Sequence, residues 1–448
     1  MSMSLFGTDG ARGVANEELT GKLAMEIAQA AALQMPRGAK VLIGRDTRVS
    51  GPMLEAALSA GFMASGVDVI LAGMVPTPAL AYLIVKMGAQ AGVMISASHN
   101  PPQYNGIKLL DHLGRKWPVE QEEEVEHTVG SQGFVFGQAA KIGRLFHFED
   151  TAIAHYHRYL QELFAGLMPD LHIGIDLAHG AAISTADTVL RTLGLHVHPL
   201  FAEPQGDLIN VRCGATDPGT LREQVLAQHW DLGLAFDGDA DRLIVVDHTG
   251  HIIDGDEILY VLASGMDAQG MLAGHTVVAT VMSNLGLERA LEQRGIALER
   301  TPVGDRWVAD RMRELNASIG GEQSGHVILA QYAATGDGLL TALALLAEVR
   351  RTGRLVAELA APVERYPQIL RNVHIDKAAV PWESIPGLSA LVQEAERSLG
   401  REGRVFIRPS GTEPLLRIMI EGRDRKEIEL WADRLTAVVH SALESAKA

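Results

Sequence analysis

One rhythm of apolar and polar positions recurs three times along the chain. Val41-Leu42-Ile43-Gly44 runs into a polar turn at Arg45–Gly51, then a helix opens with Ser50 at its cap and Pro52 in its first turn. That helix stops near Gly66, and Val67-Asp68-Val69-Ile70 follows as a strand. The second copy passes from Ile173-Gly174-Ile175-Asp176 through His179-Gly180 and a helix to Gly194, then Leu195-His196-Val197-His198. The third runs from Val277-Val278-Ala279-Thr280 through Ser283-Asn284 and a helix to Gly295, then Ile296-Ala297-Leu298. Strand, turn, helix, glycine stop and strand make a βαβ unit, and a whole unit repeated outweighs any single propensity. The copies lie about 100–130 residues apart, the size of a domain.

Beyond about Pro367 the rhythm changes. Val405–Arg408 and Leu415–Glu421 read as strands flanking a turn, with Leu416, Ile418 and Ile420 alternating against Arg417, Met419 and Glu421. Lys426 to Leu443 reads as an amphipathic closing helix. The predicted fold class is α/β: three related βαβ-type domains with mixed sheets and a smaller C-terminal α+β domain around a central cleft. The predicted divisions are 1–150, 151–254, 255–367 and 368–448, with 131–144 as a connection.

Composition narrows the function. At 448 residues with 47% apolar and 21% charged positions, the chain can bury sizeable cores. A net charge of −16 argues against nucleic acid or an anionic membrane as partner, and any site for an anionic substrate must be locally cationic. The lone cysteine, Cys213, excludes an intrachain disulfide and fits a reducing compartment. No signal peptide or spanning segment is visible, because the most apolar window, Val67 to Val85, carries Asp68, Pro76 and Pro78. A soluble, cytoplasmic protein is expected.

Four segments carry candidate chemistry. The short apolar strand Val93–Ile95 stops at Ser96-Ala97-Ser98-His99-Asn100-Pro101-Pro102, and Asn100 before proline is kept out of helix. Ser98 offers a nucleophile or phosphoryl carrier, with His99 and Lys108 close in sequence, though the same residues build ordinary turns. Asp237-Gly238-Asp239-Ala240-Asp241-Arg242 follows the apolar strand Leu232–Phe236. In an extended loop, alternate residues face one side, so its three carboxylates are expected to converge. Two such charges at 4 Å repel by about 4 kcal/mol at an effective dielectric of 20, which calls for a cation unless the turn is simply solvated. All-oxygen ligation favours Mg²⁺; a calcium loop fails, since Arg242 and His248 stand where it needs Gly and Glu. Arg408-Pro409-Ser410-Gly411-Thr412-Glu413-Pro414 reads as a phosphate cradle or a tight hairpin, with Arg417 as a second cation. Gly320-Gly321-Glu322-Gln323-Ser324-Gly325-His326 suits sugar hydroxyls or a plain glycine turn, and Phe6–Gly13 is a further strand-end loop bearing Arg12.

Together and in this order, these segments resemble the α-D-phosphohexomutase superfamily, over essentially the whole chain. The opening Phe-Gly-Thr-Asp-Gly-Ala-Arg-Gly, Ile209-Asn210-Val211-Arg212-Cys213-Gly214 and Gly-Glu-Gln-Ser-Gly-His point to its bacterial hexosamine-phosphate branch. Pro101–Gly106 looks more like the phosphomannomutase/phosphoglucomutase branch, and Ala11 stands where the family often has isoleucine. The resemblance implies an isomerase interconverting glucosamine 6-phosphate and glucosamine 1-phosphate for amino-sugar and cell-wall precursors. It implies one Mg²⁺, a covalent phosphate on Ser98 and a 1,6-bisphosphate intermediate. Ser98, Lys108, Arg12 and His99 would then be catalytic, and Ser98, Asp237, Asp239 and Asp241 would hold the metal. Gly304, Glu322 and Ser324 would hold the sugar; Arg408, Ser410, Gly411, Thr412 and Arg417 would hold the other phosphate. The partner is a small hexosamine phosphate, with no nucleic acid or membrane, and a homodimer is compatible. Rivals are phosphomannomutase/phosphoglucomutase activity, an Asp-x-Asp sugar phosphatase with Asp237 as nucleophile, and a non-catalytic sugar-phosphate sensor.

Overall fold

A computed structural model describes the chain except residues 1–4, 8, 132–133, 135–140, 376–381, 410–414 and 446–448. Most of the connection expected over 131–144 lies outside the described residues. Packing divides the chain into two units: Met1–Met282 with Arg294–Pro362, and Ser283–Gln293 with Val363–Ala448.

The first unit contains three mixed sheets that share one plan. In the first, Lys40–Arg45 pairs in parallel with Asp68–Met74 on one side and Ala91–Ile95 on the other. Tyr104–Asp111 then returns antiparallel to Ala91–Ile95. In the second, His172–Asp176 lies parallel between His196–Leu200 and Leu232–Phe236, and Leu243–Asp247 returns antiparallel. In the third, Thr276–Thr280 lies parallel between Ala297–Thr301 and Ile319–Gly321, and Val327–Leu329 returns antiparallel. The Ser98 loop, the aspartate loop and the Glu322–His326 loop are therefore the same connection in three copies: the turn between the third parallel strand and its return. Strand ends of this kind are where α/β sheets expose reactive groups.

The repeated pattern forms for local reasons. Leu54, Leu58 and Phe62 recur at helical spacing on Gly51–Ala64 and are buried. Ser50 occupies the cap position but makes no capping bond; its Oγ instead accepts the Asn105 amide at 2.8 Å. The second crossover breaks into a 3₁₀ turn at Ala181–Ser184 and a short helix, Ala186–Thr192. Ala91–Ile95 and Leu232–Phe236 are buried along their whole length, as their unbroken apolar runs require.

The second unit holds a three-stranded antiparallel sheet, Gln368–His374, Leu415–Gly422 and Gly403–Pro409, packed on helices Leu388–Leu399 and Arg425–Ser445. Ile418 and Ile420 face its core as the alternation predicts. Glu421, expected on the polar face, is buried instead: it pairs with Arg404 at 2.5 Å and accepts the Leu285 amide at 3.0 Å. A buried carboxylate persists only with such partners. No helix among the described residues is long and apolar enough to cross a membrane.

Candidate active site

Ser98 sits at the end of Ala91–Ile95 with a backbone φ of 49°, left-handed and costly for a residue with a side chain. Side chains from elsewhere hold it there. The buried Arg48 donates to the carbonyls of Ser98 at 2.9 Å, Asn100 at 2.7 Å, Pro101 at 2.6 Å and Tyr104 at 2.9 Å. Its Nε also donates to Asp46 at 3.0 Å, and Ser96 Oγ joins Asp46 at 2.6 Å while accepting the Ser98 amide at 2.9 Å. Asn210 donates to the Ser98 carbonyl at 2.8 Å. So clamped, Ser98 Oγ donates to Asp237 Oδ2 at 2.6 Å.

Asp237, Asp239 and Asp241 converge, but not by extended alternation. Asp237–Ala240 forms a turn, with the Ala240 amide bonded to the Asp237 carbonyl at 3.0 Å and Ala240 at φ 57°. A turn brings alternate side chains closer than a strand's repeat allows, and one ligand oxygen from each aspartate lies within 4.8 Å of the others. Gly238 permits the close approach: a Cβ there would stand 2.6 Å from the Ser98 carbonyl oxygen.

The three carboxyls titrate apart. Burial, then Asp241 and Asp239, push Asp237 well above the usual range. Burial and Asp239 also raise Asp241. Burial would raise Asp239 too, but Lys108 and a Thr77 hydrogen bond hold it at about 2. Asp239 Oδ1 and Asp241 Oδ1 are buried without a hydrogen-bond partner. Two buried, unpartnered carboxylate oxygens within a cluster of three converging carboxyls fit a hard divalent cation with oxygen ligands.

Cations crowd this triad. Lys108 Nζ lies 2.8 Å from Asp239, 3.1 Å from Asp9 and 3.8 Å from Asp241, so it stays charged despite burial. Arg12 bonds Asp9 and, at 3.1 Å, Asn100. His99 Nδ1 is 3.3 Å from Ser98 Oγ, and burial with the charges of Arg242 and Arg12 lowers its pKa to about 3. Its imidazole is neutral at pH 7.

The structure thus gathers Ser98, His99, Arg12, Lys108 and the three aspartates. It also joins two expected sugar segments, since Glu322 Oε1 accepts the Gly304 amide at 3.2 Å; Ser324 is exposed on the adjoining turn. Ser410, Gly411 and Thr412 lie outside the described residues. In the second unit Arg408 and Arg417 stand directly opposite each other on paired strands. Burial and Arg417 lower the Arg408 pKa. Like charges across a ladder repel, and a bound anion would relieve them.

Five site residues escaped the reading of the sequence: Arg48, Asp9, Lys116, Arg242 and His326. Asp9, Arg242 and His326 stand inside motifs already singled out, one or a few positions from a named group. Arg48 and Lys116 carry no such signal, because, Asp46 apart, their partners lie far along the chain.

Four profiles of one family cover the chain. Phosphoglucomutase/phosphomannomutase alpha/beta/alpha domains I, II and III match residues 3–135, 155–250 and 254–366, and the C-terminal domain matches 370–438. The phosphoglucosamine mutase of Desulforamulus reducens is 48% identical over 440 residues, covering 97% of this chain and 99% of the relative. A phosphoglucomutase/phosphomannomutase family protein from Burkholderia thailandensis superposes with a TM-score of 0.81 at 25% identity, covering 100% of this chain and 98% of that one. The Aspergillus fumigatus N-acetylphosphoglucosamine mutase, crystallised with GlcNAc-6P and magnesium, shares the fold with a TM-score of 0.70 at 18% identity, covering 98% and 96%.

Proposed function

The chain belongs to the phosphoglucomutase/phosphomannomutase family, and from that premise we propose that it is an isomerase interconverting glucosamine 6-phosphate and glucosamine 1-phosphate. The observation that carries the reading is Ser98 Oγ hydrogen-bonded at 2.6 Å to one of three converging buried aspartates. The near-full-length identity to a phosphoglucosamine mutase selects the amino sugar.

In this reading Ser98 stores the phosphoryl group. A sugar hydroxyl attacks phosphorus, a P–O bond to the sugar forms, the P–O bond to Ser98 breaks, and the 1,6-bisphosphate results. After reorientation the other phosphate returns to Ser98 by the reverse exchange. Mg²⁺ held by Asp237, Asp239, Asp241 and the Ser98 phosphate would neutralise charge on the transferring group. Lys108, locked in its ion pairs, supplies charge and not a base; Arg12 adds a second cation facing Asn100. The proton of the sugar hydroxyl ends on the freed Ser98 Oγ, and neutral His99, 3.3 Å from that oxygen, can hydrogen-bond it without adding charge. Gly304, Glu322 and Ser324 take the sugar hydroxyls, while Arg408, Arg417 and 410–412 take the idle phosphate. We place this four-domain enzyme in the cytoplasm, in keeping with its single cysteine.

Intact-protein mass tests the carrier. A species heavier by one phosphate, absent in Ser98→Ala, with no isomerisation by that variant, is expected. Undiminished turnover by Ser98→Ala would remove the carrier. Comparing rates on glucosamine, glucose and mannose 6-phosphates decides the sugar.

A further inference from the structure

Five side chains form an unbroken ionic row in the first unit. Asp239 meets Lys108 at 2.8 Å, Lys108 meets Asp9 at 3.1 Å, Asp9 meets Lys116 at 2.5 Å, and Lys116 meets Asp305 at 2.6 Å. The signs alternate from the aspartate triad to the segment that bears Gly304. The row ends on a carboxylate.

Asp305 opens the helix Asp305–Leu315, whose N-terminus favours a negative charge. Lys116 outweighs the cost of its burial, so it is ionised. Its side chain keeps 14% exposure, enough for one face to reach a ligand. The other carboxylate of these segments, Glu322, is committed to the Gly304 amide, and Gln323 Nε2 donates to Asp254. His326 Nε2, 3.6 Å from Asp305, adds charge only when protonated.

Glucosamine and glucose phosphates differ in one group, the C2 amine, which is cationic near neutral pH. A cation continues the alternating row where it ends; a hydroxyl does not. We propose that Asp305 reads the C2 amine of the substrate, held in place by Lys116. The inference rests on the glucosamine reading above. A charge-assisted hydrogen bond exceeds a neutral one by roughly a factor of ten in binding.

The test is Asp305→Asn, isosteric and uncharged, assayed on glucosamine 6-phosphate and glucose 6-phosphate with phosphorylated, Mg²⁺-loaded enzyme. The kcat/KM for the amino sugar should fall roughly tenfold, mainly through KM, while that for glucose 6-phosphate stays within about twofold. Equal losses on both sugars, or a preference left intact, would overturn the assignment. Asp305→Glu, which keeps the charge, should retain the preference; its loss there would count against a charge-reading role. A wild-type enzyme with no preference for the amino sugar would remove the underlying reading itself, a result distinct from wild-type selectivity that survives Asp305→Asn.

Discussion

Lys108 Nζ lies 2.8 Å from Asp239 Oδ2, with both side chains almost wholly shielded from water. A cation from the first sheet's return strand is thus built into the carboxylate cluster of the second. It satisfies one oxygen and leaves Asp239 Oδ1 and Asp241 Oδ1 without donors.

Those two oxygens set the first prediction. Mg²⁺ at a hundred times its dissociation constant should stabilise the chain by about 2.7 kcal/mol, by preferential binding to the folded state. Calorimetry with Mg²⁺ and with EDTA should show the shift, and Asp241→Asn should nearly abolish it. A shift of the same size in that variant would place the cation elsewhere.

Arg48 gives the second. Lysine cannot reproduce a fork that reaches four carbonyls and Asp46. Arg48→Lys should lose about 3 kcal/mol or more in urea unfolding, because several buried acceptors lose their donors. Turnover should fall at least about a hundredfold as the Ser98 loop relaxes.

The third concerns Gly238. An alanine Cβ would stand 2.6 Å from the Ser98 carbonyl oxygen and 2.8 Å from Ile209 Cδ1. Gly238→Ala should cost about 1–3 kcal/mol from overpacking. It should lower turnover far more than stability would suggest, because it parts Ser98 from Asp237. Normal kinetics with normal stability would show that the two loops need not touch.

The fourth is a pH dependence of stability. Burial raises the Asp176 pKa from 3.8 to about 7, although the Gly214 and Ala178 amides, donating at 2.8 and 2.9 Å, oppose the rise. The folded state therefore holds this proton more tightly than the unfolded state does. The stability it brings is full below about pH 4 and is lost as pH rises to about 7, at up to ~1.4 kcal/mol per pH unit. Urea midpoints between pH 5 and 7 should fall with pH, and less steeply in Asp176→Asn. An identical slope in that variant would assign the dependence to other groups.

Much of this was legible beforehand because periodicity reports burial. The runs at Val93–Ile95 and Leu232–Phe236 can satisfy only buried strands, and Leu54, Leu58 and Phe62 only one helix face. Turn residues after such strands mark the ends of sheets, so Ser98 and the aspartates were found where they stand. Local geometry was read less well. Left-handed Ala240 turns the aspartate loop, and Ser50 spends its hydroxyl on Asn105 instead of a helix end. Neither choice is made by neighbours in the chain.

By itself the sequence determined most of the parallel strands, the helical crossovers in outline and the residue types at the strand ends. It did not determine the return strands Tyr104–Asp111, Leu243–Asp247 and Val327–Leu329, because hydrophobic burial imposes periods of two and 3.6 only where one face or run is plainly apolar. Only tertiary structure decided which charge meets which. Arg48 reaches the Ser98 loop across 50 residues and Lys116 reaches Asp305 across 189. Such pairings depend on distance in space, and long polar side chains carry no periodic trace of the partner that makes their burial tolerable.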